Sequence, residues 1–351
     1  MMKLTKIREK LQELDLDAIL ITNASNRRYI SDFTGTAGVI LISLTEAKVI
    51  VDGRYTEQAK AQAKQFEIVE HNKNLLEVSA NEVGKMNVKQ LSYEADHVSV
   101  SQFKNYQKQI DAEMVETSNI VESLRMVKTE EELGLMREAA RIAEKALEHV
   151  LTMIKPGITE KDLSAELIYK MQKLGASGPA NDPIVASGVR SALPHGRASE
   201  KVIEKGDIIT FDFGAIYNGY RSDMTRTVSV GEPPAELKKI YHIVRETLEY
   251  AKEKIKPGLT VKEYDQLARE YIEEKGYGKY FIHGIGHGLG LDLHEGPTVA
   301  ANEVFEENMV FTVEPGIYIP DLGGVRLEDD VVIKKDGIEN LTPSSKELII
   351  L

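Results

Sequence analysis

The sequence predicts two domains: a small α/β domain, followed by a larger domain of helices and strands built from two related halves. Three observations support this fold class. They are a length of 351 residues, an alternation of short apolar strands with helices in the first part, and an internal repeat in the rest. At roughly 150 residues per domain, this length fits two domains. We expect the domains to span residues 1–120 and 125–351.

The first domain alternates short apolar segments with amphipathic ones. Leu4, Ile7, Leu11 and Leu14 recur every three or four residues, which predicts a helix early in residues 1–20. The strands predicted next are 18–22, 38–42, 47–51, 66–69 and 90–93, and the predicted helices are 55–65, 74–86 and 99–110. Such an alternation of strands and helices is typical of an α/β domain.

The second domain contains an internal repeat. A helix predicted over Glu130–Ile154 ends at a Lys-Pro-Gly turn. The hexapeptide Ile154–Thr159 (IKPGIT) recurs as Ile255–Thr260 (IKPGLT), at an offset of 101 residues, and each copy precedes a further predicted helix. The apolar strands around Asp212 and Glu314 also match, at an offset of about 102. Two matches in the same order predict two related halves that face each other across a site.

The composition excludes several chemistries. With no cysteine, the chain has no disulfide, thiolate nucleophile, iron–sulfur cluster or cysteine-bound zinc. It carries 56 Asp and Glu against 44 Lys and Arg, a net charge of −12, which argues against a nucleic acid or an anionic membrane as partner. No apolar run approaches the ~18 residues of a membrane span, and no signal peptide is evident. We therefore expect a soluble cytoplasmic protein.

Asp212 lies inside an apolar strand, residues 208–214, where a carboxylate is unfavourable unless it is paired or binds a metal. The dipeptide Asn218–Gly219 is typical of a two-residue hairpin turn. A hairpin centred there pairs Asp212 with Thr225 and makes Asp223 the diagonal neighbour of Asp212, about 7–8 Å away on the same face. Two such carboxylates can converge on a cation. The alternative is one buried aspartate that accepts backbone hydrogen bonds.

Glu314 and Glu328 repeat this arrangement in the second half. Glu314 follows the apolar segment 309–313, and the midpoint of the two glutamates falls at Asp321 in a turn-rich stretch. A hairpin therefore sets the two glutamates roughly opposite each other. The alternative is a surface pair, with Glu328 and the acidic residues that follow it exposed to solvent.

A glycine-rich segment, residues 281–297, contains three of the eight histidines, namely His283, His287 and His294. Its glycines let the backbone approach a site closely. The segment lacks the third glycine of a dinucleotide-binding loop and the Gly-Lys-Ser/Thr of a P-loop. His195 lies in a separate loop, 193–197, where a lone histidine is usually only a surface residue. The chain also lacks a GxSxG nucleophile elbow and a kinase catalytic loop.

Two aspartates, two glutamates and a histidine form a hard, oxygen-rich donor set. Four carboxylates carry too much charge for one transition ion, but they suit two divalent ions about 3.5–4 Å apart. The remaining histidines can then donate hydrogen bonds or carry protons.

With these motifs, the sequence resembles the metal-dependent pita-bread peptidases, and within them the proline-specific Xaa-Pro dipeptidases (prolidases) and Xaa-Pro aminopeptidases. The resemblance covers nearly the whole chain and is strongest in His283–Glu295. Asn26–Gly35 and Asp52–Tyr55 resemble the creatinase-type N-terminal domain, which methionine aminopeptidases generally lack. The resemblance implies a creatinase-like α/β N-terminal domain plus an α+β pita-bread catalytic domain with a pseudo-two-fold repeat.

The resemblance also implies two divalent ions, Mn or Co in the first place, with Zn as a further candidate, because carboxylate-plus-imidazole sets bind all three. The ligands it implies are Asp212, Asp223, His287, Glu314 and Glu328. A water between the ions would attack the Xaa-Pro carbonyl, and Glu314 would carry its proton to the prolyl nitrogen. The family pattern further implies a homodimer.

The same resemblance assigns His195 and His294 to catalytic contacts with the substrate. It assigns His283 and Arg326 to supporting contacts with the substrate or the ligands. Thr298 stands where some prolidases have an arginine that contacts the dipeptide C-terminus. Hydrolysis of Xaa-Pro dipeptides is the expected activity. The alternatives are an Xaa-Pro aminopeptidase that acts on longer peptides and a non-catalytic pita-bread binding protein.

Overall fold

The computed structural model describes residues 2–72, 74–301 and 303–351. The chain divides into two compact units, Met1–Arg125 and Met126–Leu351. In the ranges that the structure describes, every helix is too short or too polar to span a lipid bilayer.

The first unit is built on a mixed six-stranded sheet. Its strands are β1 (Ala18–Ile21), β2 (Val39–Ser43), β3 (Ala47–Asp52), β4 (Glu67–His71), β5 (Gln90–Glu94) and β6 (Glu113–Thr117). Its helices are α1 (Met2–Glu13), α2 (Ala24–Ser31), α3 (Thr56–Gln62), α4 (Leu75–Lys85), α5 (Val100–Gln109) and α6 (Ile120–Met126). The strand order is β4-β3-β2-β1-β5-β6, in which β2 runs antiparallel to both neighbours and the other pairs are parallel.

The strands and helices predicted for this unit are confirmed to within one to three residues at their ends. The inclusion of Leu14 in the first helix is wrong, because α1 ends at Glu13 and Leu14 is exposed. The elements α2, β6 and α6 were not predicted. The segment of α2 is mostly polar and has no apolar periodicity, and its N-terminus is fixed by the side chain of Asn23, which accepts a hydrogen bond from the amide of Asn26.

The second unit contains α7 (Glu130–Leu151), α8 (Glu160–Lys173), α9 (Ala235–Lys254) and α10 (Val261–Glu274). Its strands are β7 (Gly178–Pro179), β8 (Ile184–Ser187), β9 (Ile208–Phe213), β10 (Ala215–Tyr217), β11 (Tyr220–Arg221), β12 (Met224–Ser229), β13 (His287–Gly288), β14 (Glu295–Thr298), β15 (Val310–Val313), β16 (Gly316–Ile319), β17 (Gly323–Arg326), β18 (Asp329–Lys334) and β19 (Gly337–Asn340). They form sheets of order β12-β9-β8, β11-β10-β7, β14-β13-β15-β18-β19 and β16-β17.

The sequence repeat of this unit is also a repeat of backbone structure. Gly157 and Gly258, the glycines of the two Lys-Pro-Gly turns, have φ angles of +99° and +88°. Their amides donate to equivalent carbonyls later in each half, those of Ile203 and Phe305. The threonine two residues after each glycine then caps the following helix with a capping box. The two halves therefore begin with the same helix–turn–helix unit.

Each half has its own apolar core. In the first half, Leu147 of α7 and Leu167 of α8 belong to the same buried cluster as Phe211 of β9. In the second half, the cluster joins residues of α9 and α10 to Phe311 of β15 and Val331 of β18. Burial of these side chains fixes the two acidic strand pairs against their helices, at about 25 cal/mol per Å² of apolar surface removed from water.

Replacing Gly157 by alanine should lower the free energy of unfolding by about 1 kcal/mol, because a Cβ is disfavoured at a positive φ angle. Among the residues that the structure describes, no atom lies within 4 Å of the position of an added Cβ, so the variant tests backbone strain alone. Gly134→Ala is the matched control. Gly134 lies inside α7, where alanine fits freely and should stabilise the protein by up to about 1 kcal/mol. Urea unfolding measures both variants, and a stabilised Gly157→Ala protein would contradict the assignment of the turn.

Candidate metal centre

The acidic strand pair of the first half is the hairpin that the sequence predicts. Strands β9 and β12 are antiparallel, with Asp212 opposite Thr225. The turn Asn218–Gly219 has positive φ angles at both residues, as the two-residue hairpin requires. Asp223 directly precedes β12 and is 4% exposed, and its side chain lines the same cavity as Asp212. The two aspartates therefore converge as the hairpin register predicted.

Glu314 and Glu328 hold the equivalent positions in the second half. Glu314 directly follows β15, Glu328 directly precedes β18, and Val313 pairs with Asp329 next to them. The two glutamates thus lie opposite each other, which confirms the predicted register. Glu328 also joins the halves: its amide donates to the carbonyl of Thr225 at 3.1 Å, and its carboxylate accepts from the Thr225 hydroxyl at 2.6 Å.

His287 begins β13 and directs its imidazole towards the carboxylates. Its Nδ1 lies 3.0 Å from the carbonyl oxygen of Gly288, so Nδ1 carries the hydrogen and Nε2 presents its lone pair. Nε2 lies 3.8 Å from Asp223 Oδ2 and 3.6 Å from Glu314 Oε1. This tautomer leaves Nε2 available to bind a metal ion.

The glycines beside His287 allow the chain to pass this close to neighbouring backbone. A Cβ on Gly286 would lie 1.9 Å from the carbonyl oxygen of Thr312, and a Cβ on Gly288 would lie 2.2 Å from that of Gly296. Neither position can accommodate a side chain without moving backbone. The glycine-rich pattern therefore serves close packing around the histidine, as the sequence suggested.

Three of the five predicted ligands form one compact cluster. Donor atoms of Asp223, His287 and Glu328 all lie within 4.8 Å of one another. Glu314 adjoins the cluster through His287. All five predicted ligands, Asp212 included, line one cavity of about 390 Å³.

Both carboxylate oxygens of Asp212 have protein partners. Its Oδ2 accepts a hydrogen bond from Arg326 Nη2, and its Oδ1 accepts one from Asn181 Nδ2 at 3.3 Å. Arg326 is 3% exposed and also donates to the hydroxyl of Tyr318 at 2.6 Å. The guanidinium of Arg326 therefore holds the carboxylate of Asp212, and the supporting role expected of Arg326 stays a prediction.

Crowding and burial perturb the ionisation of the site. Burial, reinforced by the charge of Asp212, raises the pKa of Asp223 well above its usual value. Burial also raises the pKa of Glu328, with the charge of Asp223 as the next cause. Burial raises the pKa of Glu314 as well, and it lowers the pKa of His287, which favours the neutral imidazole. A cation in the cavity would relieve these repulsions.

The donor set fits divalent cations. Asp223 Oδ1 is buried and has no hydrogen-bond partner in the parts of the chain that the structure describes. Buried polar atoms are almost always satisfied, so an unpaired carboxylate oxygen in a cluster of ligands suits a cation as its partner. Carboxylate oxygens with one neutral imidazole are the donors that Mn, Co and Zn accept.

The remaining predicted histidines line the same cavity. His195 and His294 are both exposed there, and the ring centroid of His294 lies 4.1 Å from that of His287. His283 is turned into the wall of the cavity. Its Nδ1 lies 2.8 Å from the carbonyl oxygen of Gly284, and its Nε2 accepts from the Tyr318 hydroxyl at 2.9 Å.

The alternative that the acidic run after Glu328 is exposed to solvent is wrong. Glu328, Asp329 and Asp330 are at most 2% exposed. Asp330 Oδ2 accepts a hydrogen bond from the backbone amide of Asp223 at 2.8 Å, and so holds the chain at a predicted ligand. Sequence reasoning missed this residue, because consecutive acids usually indicate a solvated surface.

Comparison with known proteins gives matches along the whole chain. Residues 134–335 match the model of metallopeptidase family M24, and residues 3–127 match the creatinase/prolidase N-terminal domain. A Bacillus subtilis protein named uncharacterized peptidase YqhT is 49% identical over 353 residues, covering all of both chains. The Xaa-Pro dipeptidase of Pyrococcus furiosus is 40% identical, with 99% of each chain covered.

Solved structures agree with this similarity. A Bacillus anthracis Xaa-Pro dipeptidase superimposes with a TM-score of 0.97 at 50% identity, covering 99% of each chain. An X-Pro aminopeptidase from Thermotoga maritima superimposes with a TM-score of 0.91 at 42% identity, covering 97% of this chain and all of the other. The similarity therefore extends to proteins named for either of two peptidase activities.

Replacing Asp223 by asparagine should weaken Mn²⁺ binding by more than about tenfold, because a charged donor at the centre of the cluster is lost. Asp182→Asn is the matched control, since Asp182 lines the same cavity with a side chain that is 62% exposed. Calorimetric titration of metal-free protein measures the affinity and the number of ions bound. Equal binding by the Asp223→Asn variant and the wild type would contradict the proposed site.

Without metal, the protein should become less stable as the pH rises from 5 to 8. The ordinary pKa values of 3.8 for Asp223 and 4.5 for Glu328 are raised on folding. Such groups stabilise the fold at low pH, and this stabilisation is lost as the pH rises through the folded-state pKa. Added Mn²⁺ should therefore raise Tm more at pH 8 than at pH 5. Thermal scans of wild type and Asp223→Asn test this: the variant should show the smaller pH dependence, and an equal one would refute the explanation.

Proposed function

The chain belongs to metallopeptidase family M24, and from this premise we propose that it hydrolyses the Xaa-Pro bond, with dipeptides as its main substrates. The observation that carries the proposal is the cluster of Asp223, His287 and Glu328, with Glu314 3.6 Å from the same imidazole. Buried carboxylates whose pKa is raised cluster at functional sites, which supports a catalytic role over a surface that only binds a peptide.

Two divalent ions are the proposed cofactor, with Mn or Co favoured and Zn a further candidate. When bound, they supply a Lewis acid for the peptide carbonyl and a water nucleophile of lowered pKa. The residues proposed to hold them are Asp212, Asp223, His287, Glu314 and Glu328.

The proton transfers are assigned to Glu314. Its carboxylate lines the cavity, and Thr312 donates a hydrogen bond to it at 3.3 Å. We assign to it the removal of a proton from the attacking water and the delivery of that proton to the prolyl nitrogen as the bond breaks. His195 and His294, both exposed in the cavity wall, are proposed to donate hydrogen bonds to the oxygen that gains charge.

The supporting contacts are assigned to His283 and Arg326. The two side chains share the Tyr318 hydroxyl, which accepts from Arg326 and donates to His283 Nε2. This chain of hydrogen bonds fixes the imidazole beside Glu314 and keeps the guanidinium on Asp212. Its proposed task is to hold the wall of the cavity rigid while the substrate binds.

The preference for dipeptides is supported by two observations. The Pyrococcus furiosus and Bacillus anthracis proteins, at 40% and 50% identity, carry the name Xaa-Pro dipeptidase. A cavity of about 390 Å³ is also at the small end of the range for small-molecule sites. An Xaa-Pro aminopeptidase acting on longer peptides is the second candidate, favoured by the 42% identity to the Thermotoga maritima protein of that name.

A peptide panel tests the function. Metal-free enzyme is reloaded with Mn²⁺, Co²⁺ or Zn²⁺ and assayed on Leu-Pro, Leu-Pro-Gly and Leu-Gly. We expect hydrolysis of Leu-Pro with Mn²⁺ or Co²⁺, slower hydrolysis of the tripeptide, and none of Leu-Gly. His287→Ala should lose activity by at least about a hundredfold while keeping its fold, since one side of the metal set is removed.

Two outcomes would refute parts of this proposal. Faster cleavage of Leu-Pro-Gly than of Leu-Pro would assign the chain to the aminopeptidases. Failure of the folded, metal-loaded wild type to cleave either peptide would favour the binding protein. The homodimer stays a prediction, to be measured by sedimentation of the same preparation.

A further inference from the structure

Within the connection between β8 and β9, a loop of residues 188–198 carries His195 to the cavity wall and is built around a buried carboxylate. That carboxylate belongs to Glu160, the first residue of α8, which is 0% exposed. Glu160 contributes nothing to the lining of the cavity. Its position and its burial therefore need a reason other than direct contact with a substrate.

Glu160 ties together the two ends of this loop. Its Oε1 accepts hydrogen bonds from the amide and the hydroxyl of Ser187, both at 2.8 Å. Its Oε2 accepts from the amide of Ser199 at 3.0 Å and from the Ser199 hydroxyl at 2.6 Å. Ser187 ends β8 and Ser199 directly follows the loop, so a single side chain closes the loop at its base.

Arg190 extends the contact into the middle of the loop. Its Nε lies 3.1 Å from Glu160 Oε2, and its Nη2 donates to the carbonyl of Arg197 at 2.7 Å. From the cavity side, Arg326 Nη1 donates to the carbonyl of Pro194 at 3.2 Å. Arg326 therefore holds the backbone before His195, and Arg190 holds the backbone after it. Arg190 is in turn bound by Glu160.

Close packing at Gly196 restricts the position of the loop backbone. A Cβ added to Gly196 would lie 2.8 Å from Cβ of Ala186, on the strand that the loop leaves. Gly196 also donates its amide to the carbonyl of Leu193 at 3.0 Å, which closes a turn around His195. Loss of the hydrogen bonds from Ser187 and Ser199 to Glu160 would therefore shift the imidazole of His195.

The second half of the repeat contains the same kind of contact. Asp265 of α10 accepts from the amide of Ile285 at 2.8 Å and from Arg269 Nε at 2.7 Å. Arg269 in turn donates to the carbonyls of Phe281 and His283. In each half, an acid on the helix after the Lys-Pro-Gly turn is paired with an arginine, Arg190 of the loop in the first half and Arg269 of α10 in the second, and the pair holds a segment that bears a histidine of the cavity.

We propose that Glu160 is a positioning residue for His195: its carboxylate closes the loop at Ser187 and Ser199 and so sets where the imidazole meets the substrate. This inference rests on the role of His195 in the proposed function. A carboxylate suits the task because it only accepts hydrogen bonds and can satisfy four donors at once. Glutamine at this position would turn one acceptor into a donor and leave one end of the loop without its partner.

The test compares Glu160→Gln with Glu166→Gln. Glu166 lies on the same helix and is bonded to His149 at 2.6 Å, so the control loses a similar interaction away from the loop. Glu160→Gln should show faster hydrogen exchange confined to residues 188–198 and an altered His195 NMR resonance, with bound metal unchanged. Its kcat on Leu-Pro should fall by about tenfold to a hundredfold with KM little changed, as expected for a misplaced catalytic group. The control should match the wild type in all of these.

Combination with His195→Ala separates positioning from a merely structural role. If Glu160 acts through His195, the double variant is no slower than His195→Ala alone. The proposal would be overturned if kcat of the double variant fell below that of His195→Ala by the full factor seen for Glu160→Gln alone. It would also be overturned if Glu160→Gln left both the hydrogen exchange of the loop and the His195 resonance unchanged. If Glu160→Gln does not fold, Ser199→Ala, which removes one loop hydroxyl, should give the same changes at smaller size. An inactive wild type refutes the proposed function instead, because exchange and NMR still report on the loop.

Discussion

The convergence of acidic side chains in one cavity is the constraint on which the rest of the second unit depends. Burial raises the pKa of Asp223, Glu314 and Glu328, because a carboxylate that is removed from water is less stable in its charged form. Neighbouring carboxylates repel one another and therefore move apart or become protonated. A rigid fold prevents the first, and bound cations prevent the second by neutralising the charge. Arg326 offsets Asp212 within the protein, and the three other carboxylates are left for cations to offset. The short hairpins and well-packed cores of both halves are what hold the cluster in place.

The internal repeat explains how one chain brings these acids together. Each half contributes one hairpin with an acid at the end of one strand and an acid before the next, and the bonds between Thr225 and Glu328 join the two hairpins. A second group of charges fixes this joint from outside the cavity. Arg226 donates to the carbonyls of Thr225 and Glu328 and pairs with Asp329 at 2.9 Å. The repeat thus supplies the acids, and the charges around Arg226 hold the two halves in register.

Local signals predicted the parts of the site that local rules determine. The Asn218–Gly219 turn alone set the register of β9 and β12, and with it the pairing of Asp212 and Thr225. The roles of Tyr318 and Glu160 could not be predicted in this way, because they arise from contacts between segments distant in sequence. Glu160 meets partners 27 to 39 residues away, and Tyr318 meets His283, 35 residues away. Residues such as Glu160 and Tyr318, which position other side chains, show no recognisable spacing in the sequence. The predicted metal ligands, by contrast, lie in local sequence motifs.

The run Glu328, Asp329 and Asp330 shows why charge in a sequence does not indicate exposure when a strand is covered on both faces. Side chains alternate between the two faces of a strand, so the first and third acids share one face and the second lies on the other. Glu328 and Asp330 accordingly face the cluster, where Asp330 holds the amide of Asp223. Asp329 faces the opposite side, where Lys252 at 2.9 Å and Lys346 at 2.8 Å, besides Arg226, neutralise it. Glu328 and Asp330 therefore contribute to the acidic cluster on one face of the strand, and Asp329 forms ion pairs on the opposite face. Asp329 is thus buried against the cations that its charge requires, whereas Glu328 and Asp330 are buried with hydrogen-bond donors from Thr225 and Asp223.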